Sequence, residues 1–255
     1  EMGGGLLAER VATIDGQSAG AWVAETCARL AALDHVTVLP RTQAFGYYAQ
    51  NFVALAERVT DHVAAPDPKV PRERLWKVRA KRVVLATGAI ERPLVFPDND
   101  RPGVMLASAA QIFANRYGVK VGEKAVVFTA DDSGYAAALD LMHGGTVIAA
   151  IADLRRAPGG LGPAAALHAG LAIMPGTVVI GVSGSKRVTG ARLGRIGRDG
   201  AVEEMAPVDC DVIAMAGGWT PNVNLFSQSR GKLRFDESRQ IYVPGAPAQA
   251  LTSVG

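Results

Sequence analysis

The obvious place for a dinucleotide in this sequence is a glycine-bearing turn between a strand and a helix. Lys124–Thr129 is an apolar run that predicts a strand, and Ser133–His143 has the apolar spacing of a helix. The turn Thr129-Ala130-Asp131-Asp132-Ser133-Gly134 keeps only the third glycine of the G-x-G-x-x-G pattern. The first two glycines matter because the backbone must approach a pyrophosphate at the helix N-terminus.

The acids in this turn argue against a bound phosphate. Asp131 and Asp132 would point at a phosphate and repel it. Asp153 ends the next predicted strand, near the spacing of the acid that binds a ribose in such folds. We therefore interpret this segment as a βαβ unit that has lost its ligand.

Three further glycine-containing segments either follow an apolar strand or open the chain. Arg82–Ala86 is a β-branched run that ends in Thr87-Gly88, as expected for a buried parallel strand. Val212–Met215 leads into Gly217-Gly218-Trp219-Thr220-Pro221-Asn222, and the chain opens with Glu1-Met2-Gly3-Gly4. Each segment is compatible with an ordinary turn and with a turn that passes under a dinucleotide.

The remaining pattern alternates helices, strands and meanders. Ala19–Leu33 and Ala107–Tyr117 predict helices, and Val36–Leu39 predicts a strand closed by Pro40. Further strands are predicted within Tyr47–Thr60, Leu75–Ala80, Thr146–Ile151, Val178–Val182, Val188–Ile196 and Val202–Met205. Because the second half repeats the order of the first, the sequence predicts an α/β fold with an approximate internal duplication.

We expect two interleaved dinucleotide-type domains, of which the first is truncated and discontinuous. The first would comprise residues 1–117 and 217–255, and the second would be inserted at 118–216. The sequence begins without Met and ends without a final helix or strand, so we expect it to be an internal fragment of a longer protein.

Composition excludes several classes of function. The net charge is +3, and the densest basic stretch, Arg72–Arg82, also contains Leu75 and Trp76, which predicts an exposed basic hairpin rather than a nucleic-acid surface. Cys27 and Cys210 are too few for a disulfide framework, so we expect a reducing, cytoplasmic setting. No apolar run reaches the roughly 20 residues that a membrane span needs, so we expect no membrane partner.

No pattern identifies a catalytic or metal-binding group. The isolated histidines, without a ligand companion at i+3 to i+5, are His35, His62, His143 and His168. Asp131-Asp132 and Glu203-Glu204 are sequence neighbours rather than spaced acid–base pairs. Catalytic residues therefore stay unassigned, and no metal site is predicted.

Longer segments resemble the alpha subunit of the heterotetrameric sarcosine oxidases, over essentially the whole chain. The most specific of these segments is Arg92–Ala107. The others are Val36–Thr42, Phe45–Tyr48, Val83–Pro93, Ala125–Thr129 and Ala216–Asn222. The Ala-Thr-Gly loop and the Gly-x-x-Pro-Asn loop belong to the wider glutathione-reductase-like superfamily.

The resemblance implies a glutathione-reductase-like pair of Rossmann-type domains with β-meanders. It implies a dinucleotide, NAD with FAD as the alternative, in this region, and FMN, FAD and tetrahydrofolate in the complete enzyme. That enzyme would demethylate sarcosine oxidatively to glycine, form peroxide and pass the one-carbon unit to tetrahydrofolate, with beta, gamma and delta subunits as partners. The dinucleotide-lining positions that the resemblance carries over are Gly3, Gly4, Thr42, Ala86, Thr87 and Gly88.

The chain also departs from the family pattern. The first strand, its glycine-rich turn and the ribose-binding acid would precede Glu1, and a final glycine-rich loop would follow Gly255, so we expect weak ligand binding and no activity from the chain alone. Ile90 stands where a histidine is expected. Two alternatives stay open: a subunit of an FAD-dependent opine or D-amino-acid dehydrogenase, and a nucleotide-free scaffold. The segment Asp98-Asn99-Asp100-Arg101 favours sarcosine oxidase over the dehydrogenases.

Overall fold

The computed structural model describes residues 2–254, so Glu1 and Gly255 of the predicted domain ends lie outside it. A short 3-10 helix covers Gly4–Ala8. The helices are α1 (Ala19–Ala31), α2 (Ala107–Tyr117), α3 (Ser133–His143), α4 (Leu161–His168) and α5 (Asn224–Gln228).

The strands form small antiparallel sheets and one larger parallel sheet. They are β1 (Thr13–Ile14), β2 (Gln17–Ser18), β3 (Thr42–Tyr48), β4 (Phe52–Arg58), β5 (Glu73–Arg79), β6 (Val83–Leu85), β7 (Ala89–Glu91), β8 (Val104–Leu106), β9 (Lys124–Thr129), β10 (Val147–Asp153), β11 (Ile173–Pro175), β12 (Thr177–Ser183), β13 (Gly190–Ile196), β14 (Val202–Glu204), β15 (Val208–Asp209), β16 (Val212–Ala216), β17 (Trp219–Pro221), β18 (Leu233–Asp236), β19 (Ile241–Pro244) and β20 (Leu251–Ser253).

The chain divides into two compact units. The first unit contains residues 1–6, 13–90 and 220–255, and the second contains 7–12 and 91–219. Strand β8 and helix α2, which the sequence analysis assigned to the first domain, belong to the second unit. The reason is pairing, because β8 extends the parallel sheet of the second unit by lying against β16.

The second unit is built on a parallel sheet that is buried on both faces. Its strand order is β11-β10-β9-β16-β8. In β9, Ala125 and Val127 pack towards the helices α2 and α3, whereas Val126 and Phe128 pack into the cluster that contains the meander β12–β13. Because both faces are covered, the central strands read as continuous apolar runs rather than as alternating ones.

Helix α2 takes its N-terminal cap from a residue that is distant in sequence. Leu106, which precedes the helix, offers no side-chain acceptor. The carboxylate of Glu91 supplies one, since its Oε2 accepts a hydrogen bond from the Ser108 amide at 2.9 Å. Glu91 is only 3% exposed, and its Oε1 has no partner among the described residues. Burial raises the pKa of this carboxyl group.

The first unit contains the antiparallel sheet β3-β4-β5 and the parallel pair β6-β20. Asn51 joins them, because its Oδ1 accepts from the buried Tyr47 hydroxyl at 2.8 Å and its Nδ2 donates to the carbonyls of Lys81 and Ala250. Asn51 adopts a left-handed backbone, with φ of 49°, which asparagine tolerates better than most residues. Gln249 Oε1 accepts from the Asn51 amide at 2.8 Å and completes the network.

Most of the strongly periodic segments form as predicted. The bounds of α2, α3 and β9 match those expected from the sequence, and the predicted strand Leu75–Ala80 pairs with β4 as far as Arg79, where β5 ends. The predicted strand at Val36–Leu39 is wrong. Within residues 2–254 this segment has no ladder partner, and the Val36 amide bonds back to the Leu33 carbonyl at 2.9 Å. Helix α4 was not predicted.

We expect the substitution Asn51→Ala to destabilise the first unit by about 2–4 kcal/mol. It leaves the buried Tyr47 hydroxyl and the Lys81 carbonyl without their Asn51 partner and removes one of the two hydrogen bonds to the Ala250 carbonyl. It also places a residue without a polar side chain in a left-handed conformation. Urea denaturation measures the change. Gln50→Ala is the matched control, because Gln50 shares the left-handed backbone, with φ of 60°, but is exposed. An equal cost for the two variants would contradict the role of the network.

Because of the buried Glu91 carboxyl group, we expect the free energy of unfolding to vary with pH in the acid range. Its pKa is raised in the folded protein, so the folded state holds this proton more tightly than the unfolded chain does. Its contribution therefore favours folding most below the unfolded pKa and declines as the pH rises through the folded pKa. We expect Glu91→Gln to flatten that decline in a series of thermal melts from pH 3 to pH 8. An unchanged pH profile would refute the assignment, and Glu237→Gln, at an exposed turn, is the control.

Candidate functional site

Two of the glycine-bearing loops predicted from the sequence meet in the first unit. The Thr87 hydroxyl, after strand β6, donates to the Asn222 carbonyl at 2.7 Å. The Asn222 amide donates in turn to the Gly88 carbonyl at 2.9 Å. Gly88 has a φ of 65°, and a Cβ at this position would meet no atom within 4 Å. The backbone of the Ala86-Thr87-Gly88 loop is therefore fixed from one side and open on the other.

This loop borders a cleft of about 750 Å³ in the first unit. Thr42 and Thr87, two of the predicted positions, both line it. The other lining residues come from β3, the loop at 222 and α5, namely Gln43, Ala44, Phe45, Asn222, Asn224, Leu225, Ser227 and Gln228. None of these lining residues carries a formal charge, so the cleft presents hydroxyl and amide groups beside one aromatic ring. Such groups recognise a ligand by hydrogen bonding without repelling either sign of charge.

Gln228 links the cleft to the core beneath it. Its Oε1 accepts from the Tyr47 amide at 3.1 Å, and the Tyr47 ring belongs to the core with Leu85 and Phe226. Helix α5 is thereby held against strand β3, which fixes the two walls of the cleft relative to each other. The sequence reasoning assigned no role to Gln228 or Asn224, although the Gly-x-x-Pro-Asn motif ends directly before that helix.

A second recess, of about 510 Å³, shares Thr42 and Gln43 with the cleft. Arg41 and Arg58 lie on its wall, and neither has an ion-pair partner among residues 2–254. Arg41 Nε donates instead to the Arg58 carbonyl at 3.4 Å. Asp61, on the same wall, is already paired with Arg72. Glu73 also lines the recess, which therefore places two arginines without ion-pair partners among residues 2–254 beside two carboxylates, next to the neutral cleft.

The other predicted positions lie apart from these contacts. Gly3 directly precedes the 3-10 helix and Gly4 begins it, and the Gly3 carbonyl accepts from the Leu6 amide at 3.1 Å. Within the described chain, no hydrogen bond joins either glycine to Thr42 or to the loop at 86–88. Ala86 is exposed within that loop. The structure thus brings Thr42 and Thr87 together and leaves the opening glycines as a separate segment.

The second unit has its own strand-to-helix turn, at the position where the glycine pattern is incomplete. The Asp131 carboxylate accepts from the Ser133 amide at 3.0 Å and from the Ser133 hydroxyl at 2.6 Å. The Thr129 hydroxyl accepts from the Asp131 amide at 3.2 Å. Two amides at this turn are therefore bonded within the protein rather than facing open space.

The described residues contain no group of three or more His, Cys, Asp or Glu that could hold a metal ion. Both cysteines are free, and burial raises the pKa of the Cys210 thiol to about 11. Across the part of the chain that the structure describes, none of the helices has the length and apolar character of a membrane span.

The sequence is similar to part of a known enzyme subunit. No family model matches the sequence. The chain is 42% identical over 249 residues to the sarcosine oxidase subunit alpha of Corynebacterium sp. (strain P-1), which covers 96% of this chain and 26% of that subunit. It is 38% identical over 254 residues to the subunit alpha of Rhizobium meliloti (strain 1021), which covers 99% of this chain and 24% of that subunit. The chain thus spans about a quarter of these relatives.

Solved structures agree on the fold. The L-proline dehydrogenase of P. horikoshii superposes with a TM-score of 0.66 over 99% of this chain and 43% of that chain, at 22% identity. The thioredoxin reductase of T. acidophilum also gives 0.66, over 99% of this chain and 78% of that chain, at 14% identity. These likenesses confirm the predicted glutathione-reductase-like α/β fold. In sequence, the chain corresponds to a region of the sarcosine oxidase alpha subunit, as the motifs around Arg92–Ala107 predict.

Proposed function

We propose that this chain is the dinucleotide-binding region of a sarcosine oxidase alpha subunit, and that the cleft of the first unit binds the dinucleotide. The observation that carries the proposal is the 38–42% identity to sarcosine oxidase alpha subunits over nearly the whole chain. The cleft supports it, because Thr42 and Thr87 were singled out as dinucleotide-lining positions and lie on its walls. The first unit and the inserted second unit correspond to the two dinucleotide-type domains.

The residues of the cleft fit a dinucleotide. No carboxylate lines the cleft, so nothing there repels a phosphate, and its hydroxyls and amides suit ribose and carboxamide groups. The open side of Gly88 lets a ligand approach the backbone closely. We assign Thr42, Ala86, Thr87 and Gly88 to the ligand from this side, with Arg41 in the adjoining recess available to a phosphate. Gly3 and Gly4 stay part of the proposal through the family resemblance.

NAD is the proposed ligand and FAD the alternative, and a nicotinamide dinucleotide would supply hydride acceptance where a donor reaches it. Its role here is structural, because the side chains that line the cleft include no ionisable group to move a proton. The complete enzyme would oxidise sarcosine to glycine with peroxide formation and one-carbon transfer to tetrahydrofolate. Its FMN and FAD chemistry would involve further subunits, designated beta, gamma and delta.

Replacing Thr87 by valine is expected to weaken NAD binding by about 5–10-fold, which equals roughly the contribution of one hydrogen bond. The change removes the bond from the Thr87 hydroxyl to the Asn222 carbonyl and releases the loop on one side of the cleft. Isothermal titration of NAD into the full-length protein measures the effect. Thr252→Val is the matched control, since Thr252 is exposed on strand β20 and its side chain forms no hydrogen bond with any residue from 2 to 254. Equal affinities for the two variants would remove Thr87 from the site.

The proposed substrate class is tested on the full-length protein assembled with its partner subunits. We expect sarcosine, but not an opine or a D-amino acid, to give peroxide and glycine, and denaturation to release NAD identified by mass spectrometry. The alternative assignment, to an FAD-dependent opine or D-amino-acid dehydrogenase, would be favoured if the protein oxidised an opine without forming peroxide and released FAD from this chain. Release of no nucleotide from the alpha subunit would favour the scaffold alternative.

A further inference from the structure

In the second unit, the acid at the end of strand β10 is already fully engaged. Asp153 has no exposed surface, and its Oδ2 accepts from the Tyr135 hydroxyl at 2.6 Å and from Arg155 Nη2 at 2.8 Å. Its Oδ1 accepts from the Arg155 amide at 2.8 Å and from Arg155 Nε at 3.1 Å. In a dinucleotide-binding fold the acid in this place accepts ribose hydroxyls. Asp153 has no free acceptor position left for them.

Arg155 extends the same network across the carboxyl edge of the sheet. Its Nη1 donates to Asp132 Oδ1 at 2.8 Å, so one guanidinium joins the end of β10 to the turn after β9. Its Cζ also lies 5.9 Å from the centre of the Tyr135 ring. Hydrogen bonding to the carboxylate of Asp153 raises the pKa of Arg155 further and keeps it charged. The crevice in which ligands of such sheets bind is therefore spanned by an ion network, formed by Asp132, Tyr135, Asp153 and Arg155.

The phosphate-binding turn is satisfied internally as well. The Asp131 carboxylate accepts a hydrogen bond from the Ser133 amide. The Thr129 hydroxyl accepts from the Asp131 amide and donates to the Asp131 carbonyl at 2.7 Å. The remaining glycine of the motif serves packing, because a Cβ on Gly134 would lie 2.5 Å from Thr129 Oγ1. This matches the role of the third glycine in the dinucleotide fingerprint, which lets helix and strand approach closely.

The residue before helix α4 and the first turn of that helix lie against the same network. A Cβ on Gly160 would lie 3.4 Å from Asp132 Oδ2, and one on Gly162 would lie 3.3 Å from Tyr135 Cβ. Both glycines therefore allow the backbone to approach the network from a third side. The ion network is therefore in contact with β9, with β10 and with the start of α4. The unit keeps its dinucleotide-type fold, but the side chains of the network fill the space where a ligand would lie.

We propose that the second unit is a nucleotide-free domain in which the ion network of Asp132, Tyr135, Asp153 and Arg155 replaces the dinucleotide. The fold implies a ligand at this crevice, and the residues present do not fit one. Any dinucleotide of this chain is then held by the first unit. The inference rests on side-chain contacts within the second unit and does not require the proposed function to hold.

Hydrogen–deuterium exchange of the full-length protein, with and without millimolar NAD, FAD or ADP, separates the two proposals. Protection confined to residues 42–48 and 86–90 supports both of them. Protection of 129–135 or 153–156 by any of the three nucleotides would overturn the nucleotide-free domain. Protection at neither place, with all three nucleotides, contradicts the proposed function and agrees with the inference.

A pair of isosteric variants tests the network itself. Asp153→Asn removes the buried charge that Arg155 and Tyr135 require, so we expect Tm to fall by about 8 °C or more. Asp132→Asn, whose side chain is half exposed, is expected to lower Tm by about 3 °C or less. Both variants should keep NAD affinity within twofold of the parent protein. A tenfold loss of NAD affinity in Asp132→Asn at unchanged Tm would refute the inference even if Asp153→Asn does not fold.

Discussion

The polar groups at the carboxyl ends of buried parallel strands must find partners, and much of this structure follows from that constraint. Strands β9 and β16 are covered on both faces, so β9 carries polar side chains only at its two ends, Lys124 and Thr129, and β16 carries none. The amides of the following turns must then be satisfied by a ligand, by water or by nearby side chains. In the second unit side chains do this: Thr129 accepts from the Asp131 amide, Asp131 from the Ser133 amide and Asp153 from the Arg155 amide.

The first unit meets the same requirement in a different way. The loop after β6 is held through a side-chain bond and a backbone bond to Asn222, and no carboxylate enters its cleft. The Thr42 and Thr87 hydroxyls each donate to one backbone carbonyl and keep lone pairs that can accept from a ligand, whereas the Asp153 carboxylate of the second unit has all its acceptor positions filled. The two units therefore have related architectures, but they differ in whether the ends of their strands can bind a ligand. A few side chains at those strand ends make the difference.

The sequence predicted well the elements whose pattern is local. Helices α2 and α3 and strand β9 have strong periodicity, and their bounds were correct. Val36–Leu39 has the composition of a strand, but a strand also needs a hydrogen-bonding neighbour, and composition carries no information about one. Helix α4 was missed because Gly162 and Pro163 stand in its first turn and weaken the helical signal. Its apolar residues are chiefly alanines, which give little amphipathic contrast.

The candidate site was predictable only where a motif fixes the backbone. Thr87 and Gly88 belong to such a motif, and the structure places their loop beside a cleft. Gln228 belongs to none, since its contact with the Tyr47 amide joins residues 181 positions apart. The Arg155 network was equally hidden, although an arginine two residues after Asp153 is a usable signal in retrospect. An acid that ends a strand gains a local cationic partner there and becomes unavailable to a ribose.

The lining of the cleft contains no ionisable side chain, and under the proposed function this limits what the cleft itself can contribute to amine oxidation. Removing a hydride from an N-methyl group requires that the amine reach the reaction in its neutral form, so a proton must be taken up nearby. Thr42, Thr87, Asn222 and Gln228 cannot accept one at neutral pH. Under the proposed function, the group that takes up this proton therefore lies outside the lining of the cleft.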